Sequence, residues 1–450
     1  MKYELFRNPS IFYCFTEGVD VRTLYIEDNI IVFECCKDIE NISEIKIAIL
    51  NLDSFEYEEL HFDKCKICEK NKLELKYEYK VIIDCNNKED IQKLNTLLEK
   101  INKVEGIFDE TYNGKNDLLR TKKKNMEHYQ YNDDKIICKD IEQQIAYWYD
   151  FQNSKVVLPA NVELAFVASE YKIYKDVLKY GFRQTFRNCL EKVNINKMKF
   201  FDKELNHVYI GNDFCVNLFP TEEMLIKLLN QAYEEKLGIT ISYPPLVQQR
   251  LEQTKGMIKI LEKFCQEKQI TIELVINDWG MVQLLKEEEI NCFKLVLGRL
   301  LNKRKKDPRM KNRMGYEKYK NDFGRNNVCS EPFGKIMEEC SITRCEFEAT
   351  QFFNEIPNGK HTLHFPFYQT NTASNCLIYA NCKNKSVIKQ EYPEHCPHYC
   401  SEFYFSFPKH LDVIGKNNSL FVFDKNIFLE QEVVDKYVES GIDRFAYTPL

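Results

Sequence analysis

Residues 207–244 read HVYIGNDFCVNLFPTEEMLIKLLNQAYEEKLGITISYP, and this stretch decides the fold. An apolar run of strand length is followed by an amphipathic helical pattern and then by a second apolar run. Strand, helix and strand in this order predict two parallel strands joined by a crossover helix. Similar alternation continues to the end of the chain with about eight strands, which predicts a TIM-barrel-like (β/α)8 domain over residues 206–450.

The sequence before residue 206 has a different pattern of apolar and polar residues. Residues 1–105 contain several alternating apolar runs and one helical pattern, which predict a β-rich α+β domain with a role in substrate recognition. Residues 106–135 are polar and rich in Lys and Asn, as in a linker. Residues 136–205 carry helical patterns and are predicted to form a helical segment. A chain of 450 residues has room for this organisation, an α/β barrel preceded by smaller domains.

Composition narrows the class of protein. The net charge of −6 is not that of a nucleic-acid-binding surface. The N-terminus lacks the apolar stretch of a signal peptide, and no window of about 20 apolar residues predicts a membrane span. We therefore expect a cytoplasmic protein without a membrane partner. The abundance of Lys, Asn and Ile with only 15 Gly is typical of an AT-rich genome, which leads us to expect an anaerobe.

Four cysteines near the C-terminus form two close pairs: Cys376, Cys382, Cys396 and Cys400. Four thiols in one short segment, without a secretion signal, predict a metal site before they predict disulfides. Their spacing leaves zinc and an iron–sulfur cluster equally open, with buried thiols as the third interpretation. His395 and His398 are alternative ligands, although we expect them to be solvated or to support the site.

Two candidate polar sites follow predicted strands. In INDWG, residues 276–280, Asn277 and Asp278 stand at the mouth of the predicted barrel, although the N-cap of the next helix is the simpler role for Asp278. Arg299 follows the next strand, where a guanidinium can clamp a carboxylate or phosphate.

A basic run follows Arg299, and its cations form either an anion-binding patch or a solvated loop, the interpretation we favour: Lys303, Arg304, Lys305, Lys306, Arg309, Lys311 and Arg313.

Later strands carry further candidates. Glu346 and Glu348 are two residues apart and so lie on one face of a strand, whereas His361 and His364 are three apart and lie on opposite faces. Glu348 and His364 are the catalytic candidates of these two strands.

The N-terminal region has its own metal-like group, which we interpret as incidental: Cys35, Cys36, His61, Cys65 and Cys68.

The C-terminal half resembles the collagenase-like peptidase family (peptidase family U-thirty-two) and its iron–sulfur relatives, which include oxygen-independent hydroxylases. The resemblance is carried, in family order, by HVYIGNDF (207–214), INDWG (276–280), LGRLLNKRKKDPR (297–309), HFPFYQTNTASNC (364–376), CPHYC (396–400), NNSLFVFD (417–424) and GIDRFAYTP (441–449).

The resemblance implies a barrel-like fold and a 4Fe–4S cluster on Cys376, Cys382, Cys396 and Cys400. It favours an iron–sulfur enzyme that performs oxygen-independent hydroxylation or related redox chemistry with a redox partner. The substrate is a peptide, a protein, tRNA or a small molecule. A collagenase-like protease and a non-catalytic binding protein with a structural cluster are the alternatives. The catalytic candidates are Asp278, Arg299, Glu348 and His364.

Overall fold

The computed structural model describes residues 2–4, 12–50, 57–74, 76–84, 88–99, 144–151, 154–308, 324–350, 354–384, 392–406 and 412–449. The predicted linker at 106–135 lies outside these residues. The chain divides into two compact units. The first comprises Met1–Gln130 and Arg309–Ile336, and the second comprises Tyr131–Pro308 and Met337–Leu450.

The second unit is built on a closed barrel of eight parallel strands: β9 (Glu163–Ala168), β10 (Leu205–Gly211), β11 (Gly238–Ser242), β12 (Ile272–Ile276), β13 (Phe293–Leu297), β14 (Arg344–Glu348), β15 (His361–Phe365) and β20 (Ile442–Tyr447). The strands pair in chain order, and β20 closes the barrel by pairing with β9. The predicted α/β class and TIM-like barrel are confirmed at this level.

The barrel boundaries differ from the predicted ones. Strand β9 lies within residues 136–205, which the sequence assigned to a helical segment, so the barrel begins before residue 206. Six residues between helical patterns carry too little periodicity to reveal a strand. In addition, Arg309–Ile336 lies between β13 and β14 in sequence but belongs to the first unit. Local patterns cannot show such long-range packing.

Helices follow the strands where the alternation predicts them, and shorter ones occur elsewhere. The described helices are α1 (residues 88–99), α2 (residues 144–148), α3 (Tyr171–Tyr180), α4 (Phe182–Lys192), α5 (Glu222–Glu234), α6 (Leu251–Lys268), α7 (Trp279–Glu287), α8 (Glu331–Glu339), α9 (Leu377–Asn384), α10 (Asn426–Leu429) and α11 (Gln431–Glu439). No helix within the described ranges is both long and apolar enough to cross a membrane.

A small antiparallel sheet stands between β15 and β20 in the chain. Its order is β16 (Phe367–Thr372), β19 (Ser419–Phe423), β18 (Val413–Lys416) and β17 (Phe405–Ser406). This insertion explains why the last predicted barrel units lack long helices. It also carries the segment with the four clustered cysteines.

The first unit contains the predicted β-rich region, an antiparallel sheet of eight strands: β1 (Lys2–Glu4), β2 (Phe12–Thr16), β3 (Val19–Glu27), β4 (Ile30–Cys35), β5 (Ile45–Leu50), β6 (Tyr57–Phe62), β7 (Cys65–Lys72) and β8 (Tyr77–Ile83). Leu94, Leu97 and Leu98 of α1 are buried in the core of this unit. Within the same unit, Arg325 donates a hydrogen bond to the carbonyl oxygen of Gly18 (2.7 Å).

An ionic layer closes the end of the barrel where the strands begin. Arg444 of β20 donates from Nη1 to Glu273 of β12 (2.6 Å) and from Nε to Glu163 of β9 (2.7 Å). Thr240 donates to Glu273 as well (2.6 Å). Burial alone would raise the pKa of Glu273, but the charge and hydrogen bonds of Arg444 outweigh burial and lower this pKa to about 2.

We predict that Glu273→Gln lowers the free energy of unfolding of the second unit by about 3 kcal/mol at pH 7. The folded pKa of Glu273 lies below its ordinary value of 4.5, so its stabilisation is present above that value and is lost as pH falls toward 2. The difference between wild type and variant should therefore shrink over that window. Both tryptophans, Trp148 and Trp279, lie in this unit, so urea unfolding followed by their fluorescence measures it.

The matched control is Glu252→Gln, because the Glu252 side chain is 88% exposed on α6. It should change the stability by no more than about 0.5 kcal/mol. A pH-independent difference for Glu273→Gln would contradict the electrostatic interpretation.

Candidate functional site

The loop after strand β10 reaches every part of the candidate site. Gly211 ends the strand with a φ of +113°, and a Cβ there would lie 2.4 Å from the carbonyl oxygen of Ser242, so the position requires glycine. Oδ1 of Asn212 then accepts hydrogen bonds from the N–H groups of Phe214 (2.9 Å) and Cys215 (2.8 Å), which folds the loop. Successive side chains of this loop reach an ionic network, a group of thiols and a cavity.

A buried ionic network fills the mouth of the barrel. Arg299 donates to Asp213 from Nε (3.1 Å) and from Nη2, and its Nη1 lies 3.5 Å from Glu348. Its guanidinium also lies 4.6 Å from the ring centre of Phe214. These charged side chains are at most 4% exposed. The sequence predicts that Arg299 anchors an anionic substrate group. In the structure two carboxylates of the chain already neutralise it, which argues against that role.

Glu348 is the centre of this network. Its carboxylate accepts hydrogen bonds from Lys306 (2.6 Å), Arg304 (3.3 Å) and the backbone N–H of Gln369 (2.7 Å), in addition to Arg299. Burial would raise the pKa of Glu348, but Lys306 and the two arginines lower it to about 2. Burial lowers the pKa of Lys306 to about 8. Glu348 is therefore a fixed anion rather than a proton donor at neutral pH.

Two cations of the basic run thus contradict the prediction of a solvated loop. Arg304 is 1% exposed and Lys306 is 11% exposed, and both pair with Glu348. The sequence could not show this, because the paired carboxylate lies more than forty residues later. Arg309, Lys311 and Arg313 lie outside the described residues.

The INDWG segment, residues 276–280, makes hydrogen bonds that hold the backbone at the mouth of the barrel. Asn277 donates to Asp213 (3.0 Å) and to the carbonyl oxygen of Tyr243 (2.9 Å). Asp278 accepts from the N–H of Met281 (3.2 Å) at the start of α7 and from the N–H of Leu246 (2.8 Å). The N-cap interpretation of Asp278 is confirmed. Both carboxylate oxygens of Asp278 accept hydrogen bonds from backbone N–H groups, so we propose no catalytic role for this residue.

The histidines lie on opposite faces of β15. Nε2 of His364 lies 2.5 Å from Glu346 inside the barrel, and Tyr209 donates to the same carboxylate (3.0 Å). Nδ1 of His364 has no hydrogen-bond partner among the described residues. His361 instead accepts from the N–H of Cys345 (3.1 Å). His364 is buried in the barrel interior, and it is not among the residues that line the cavity described below.

The cysteine quartet lies on the inserted segment between β16 and β17. Cys376 is buried, its Sγ donates to the carbonyl oxygen of Asn417 (3.1 Å), and burial raises its thiol pKa to about 11. Cys382 lies on α9. Cys396 is half-buried and Cys400 is buried, and burial raises the pKa of both.

A fifth thiol, which the sequence analysis missed, belongs to this group. Cys215 is buried in the loop after β10. Its pKa is raised to about 12, first by burial and then by the charges of Cys376 and Cys396. Cys215 in turn raises the pKa of Cys400. The available signal was its position just after an apolar strand, because strand ends meet at the mouth of a barrel.

The thiols fit a soft metal group in donor chemistry, since thiolate ligands hold zinc and iron–sulfur clusters. Hydrogen bonds from Cys376 to Asn417 and from Asn418 to Phe214 bring the segment of Cys376 to the loop that carries Cys215. In the described part of the chain, however, no three metal-ligating side chains are arranged as a ready ligand set. The raised pKa values mean that these thiols stay protonated until a positive charge stabilises their thiolates.

The tip of the β18–β19 hairpin supports the thiols. Lys416 is buried and paired with Glu170. Asn417 has a left-handed φ of +60° and accepts from Cys376, whereas Asn418 donates to the carbonyl oxygen of Phe214 (2.7 Å). A hairpin tip is usually solvated. This one joins the thiol segment to the loop after β10.

A cavity of about 490 Å³ opens next to Cys396. Its wall includes Asn217 of the β10 loop, Tyr243 at the end of β11, and Arg250 at the start of α6. This volume lies in the range of small-molecule sites.

The N-terminal cysteine group shows no comparable arrangement. Cys35 donates to the carbonyl oxygen of Lys37 (3.0 Å), and burial raises its pKa to about 11. His61 pairs with Glu44 (2.8 Å). Among the residues described for this unit, no three metal-ligating side chains are grouped, and the incidental interpretation stays a prediction.

We predict that Glu348→Gln destabilises the second unit by about 3–5 kcal/mol, because it leaves buried cations without their anion. Glu355→Gln is the control, since Glu355 is exposed, and it should change stability by no more than about 0.5 kcal/mol. Urea unfolding followed by tryptophan fluorescence measures both. Equal stability of the two variants would show that the network is not essential to the mouth of the barrel.

No protein-family model, curated protein or solved structure matches this chain.

Proposed function

We propose that the chain is an iron–sulfur enzyme that modifies a substrate under anaerobic conditions, by oxygen-independent hydroxylation or a related redox step. One observation carries the proposal. The segments that carry Cys376, Cys396 and Cys215 are joined by hydrogen bonds, through Asn417 and Asn418 of the β18–β19 hairpin and from His398 to Asn217, and Cys396 lines a small-molecule-sized cavity.

The donor chemistry supports an iron–sulfur cluster, which takes four thiolates. The resemblance to the iron–sulfur relatives of the collagenase-like peptidases favours Cys376, Cys382, Cys396 and Cys400 as ligands. Cys215 is a fifth candidate ligand, because it follows Phe214, whose carbonyl oxygen accepts a hydrogen bond from Asn418 of the hairpin that also contacts Cys376. A structural zinc site would also use four thiolates, so metal content decides between them.

In the proposed hydroxylation a substrate C–H bond becomes C–OH. The carbon loses two electrons, and an oxygen-atom donor other than dioxygen gains them. The cluster would supply redox or Lewis-acid chemistry at the cavity. The protein residues bind the substrate, orient it and limit access of water.

A peptidase is less well supported. It needs a carboxylate, thiolate or activated water that is available to attack a peptide bond. At the mouth of the barrel, Asp213 and Glu348 are committed to Arg299 and its neighbouring cations. Cleavage of gelatin or a peptide by the cluster-free protein would favour that alternative. A binding protein with a structural cluster would neither cleave nor modify a substrate.

We predict about four irons and four sulfides per chain after anaerobic purification, with a brown absorbance. Cys396→Ser and Cys400→Ser should lose the absorbance and most of the iron. Metal analysis, sulfide analysis and visible spectroscopy give the result. One stoichiometric zinc in colourless protein from iron-replete, oxygen-free cells would refute the cluster.

Cys215→Ser tests the fifth thiol, with Cys292→Ser as control. Cys292 precedes strand β13 and so lies at the opposite end of the barrel from the mouth. We expect Cys215→Ser to change the iron content or the spectrum and Cys292→Ser to preserve both. Thermal unfolding of each variant separates cluster loss from loss of fold. An unchanged cluster in Cys215→Ser would remove Cys215 from the site.

A further inference from the structure

The cavity beside Cys396 has the features of a binding site. Its walls combine one permanent cation and one carboxylate with aromatic rings and uncharged polar side chains. The lining residues include Arg250, Tyr171, Tyr243, Phe219, His398 and Asn217.

Arg250 is held in place on one side. Its Nη2 donates to Oδ1 of Asn217 (2.5 Å) and to the carbonyl oxygen of Glu394 (3.1 Å). A guanidinium carries five N–H donors on three nitrogens. Two hydrogen bonds at one nitrogen orient the plane and leave donor capacity for a ligand. A fixed guanidinium matches the two oxygens of a carboxylate.

The aromatic walls are also held by hydrogen bonds. Tyr171 stacks on His398, with ring centres 4.4 Å apart, and donates to the carbonyl oxygen of Phe219 (3.1 Å). Nε2 of His398 bonds to the carbonyl oxygen of Asn217 (2.8 Å). Phe219 in turn lies 4.4 Å from the ring of Tyr243. Such preorganised faces favour a flat ligand, because little side-chain entropy is lost on binding.

We infer that this cavity binds a small planar organic monoanion, a ring that carries one carboxylate, with the carboxylate on Arg250 and the ring against the tyrosines. The cavity volume allows a molecule of this size. The lining side chains include one arginine, Arg250, and one carboxylate, Glu394, and this charge balance favours a ligand with one negative charge over the two of a phosphate monoester.

The role of this ligand, as substrate or co-substrate beside Cys396, rests on the proposed function. The binding itself does not require a cluster. Loss of binding and loss of iron are therefore separate outcomes, and one proposal can fail while the other stands.

The test uses naphthoate as the probe and naphthamide as its neutral analogue of similar shape. Binding is measured by calorimetry and ligand-observed NMR on the full chain, both as purified anaerobically and after metal removal. Arg250→Gln removes the proposed anchor. Lys259→Gln removes one positive charge from the same helix, where Lys259 is exposed and pairs with Glu288 instead.

We expect naphthoate to bind the wild type and Lys259→Gln equally, and Arg250→Gln about tenfold or more weakly. Arg250→Lys should recover part of the loss. Naphthamide should bind weakly and equally to all four proteins. Tyr243→Leu should weaken naphthoate while its thermal unfolding stays that of a folded protein.

Equal naphthoate affinity in wild type and Arg250→Gln would overturn the proposal, as would equal affinity of naphthoate and naphthamide for the wild type. No naphthoate binding at millimolar concentration would also overturn it. Tighter, Arg250-dependent binding of a nucleoside monophosphate would replace the monoanion with a phosphate ligand.

Discussion

The pairing of β20 with β9 is the constraint on which the second unit depends. Residues Arg444–Tyr447 run parallel to Glu163–Phe166, and this pairing joins the last barrel strand to the first. The same Arg444 links three strands through Glu273 and Glu163 at the end where the strands begin. Because all eight strands are parallel and the sheet is closed, their carboxyl ends must meet at one mouth. Side chains far apart in sequence become neighbours there.

The mouth of the barrel is filled by buried ion pairs whose charges balance one another. Glu348 and Asp213 are surrounded by Arg299, Arg304 and Lys306, so the interior of the mouth is an ionic plug rather than an open polar site. Breaking a buried pair is costly, because it leaves an uncompensated charge. At the margin of this ionic network, residues of the β10 loop, the thiol segment and α6 line a cavity. Glu348, a catalytic candidate in the sequence, is held in this network by its ion pairs and by the backbone N–H of Gln369.

The β10 loop joins the two regions. Asp213 enters the plug, Cys215 enters the thiol group, and Asn217 orients Arg250 at the cavity. A hydrogen bond from Asn418 to the carbonyl oxygen of Phe214 connects it to the inserted sheet.

The sequence by itself determined the alternation that builds the barrel, the β-rich N-terminal region, the N-cap of Asp278 and the opposite faces of His361 and His364. These features follow from local periodicity and backbone hydrogen bonding, which neighbouring residues fix. Only the tertiary structure decided that β9 opens the barrel, that Arg304 and Lys306 turn inward to Glu348, and that Cys215 joins the later thiols. Each of these depends on contacts across many residues, because burial and charge pairing belong to the closed barrel and not to any single segment.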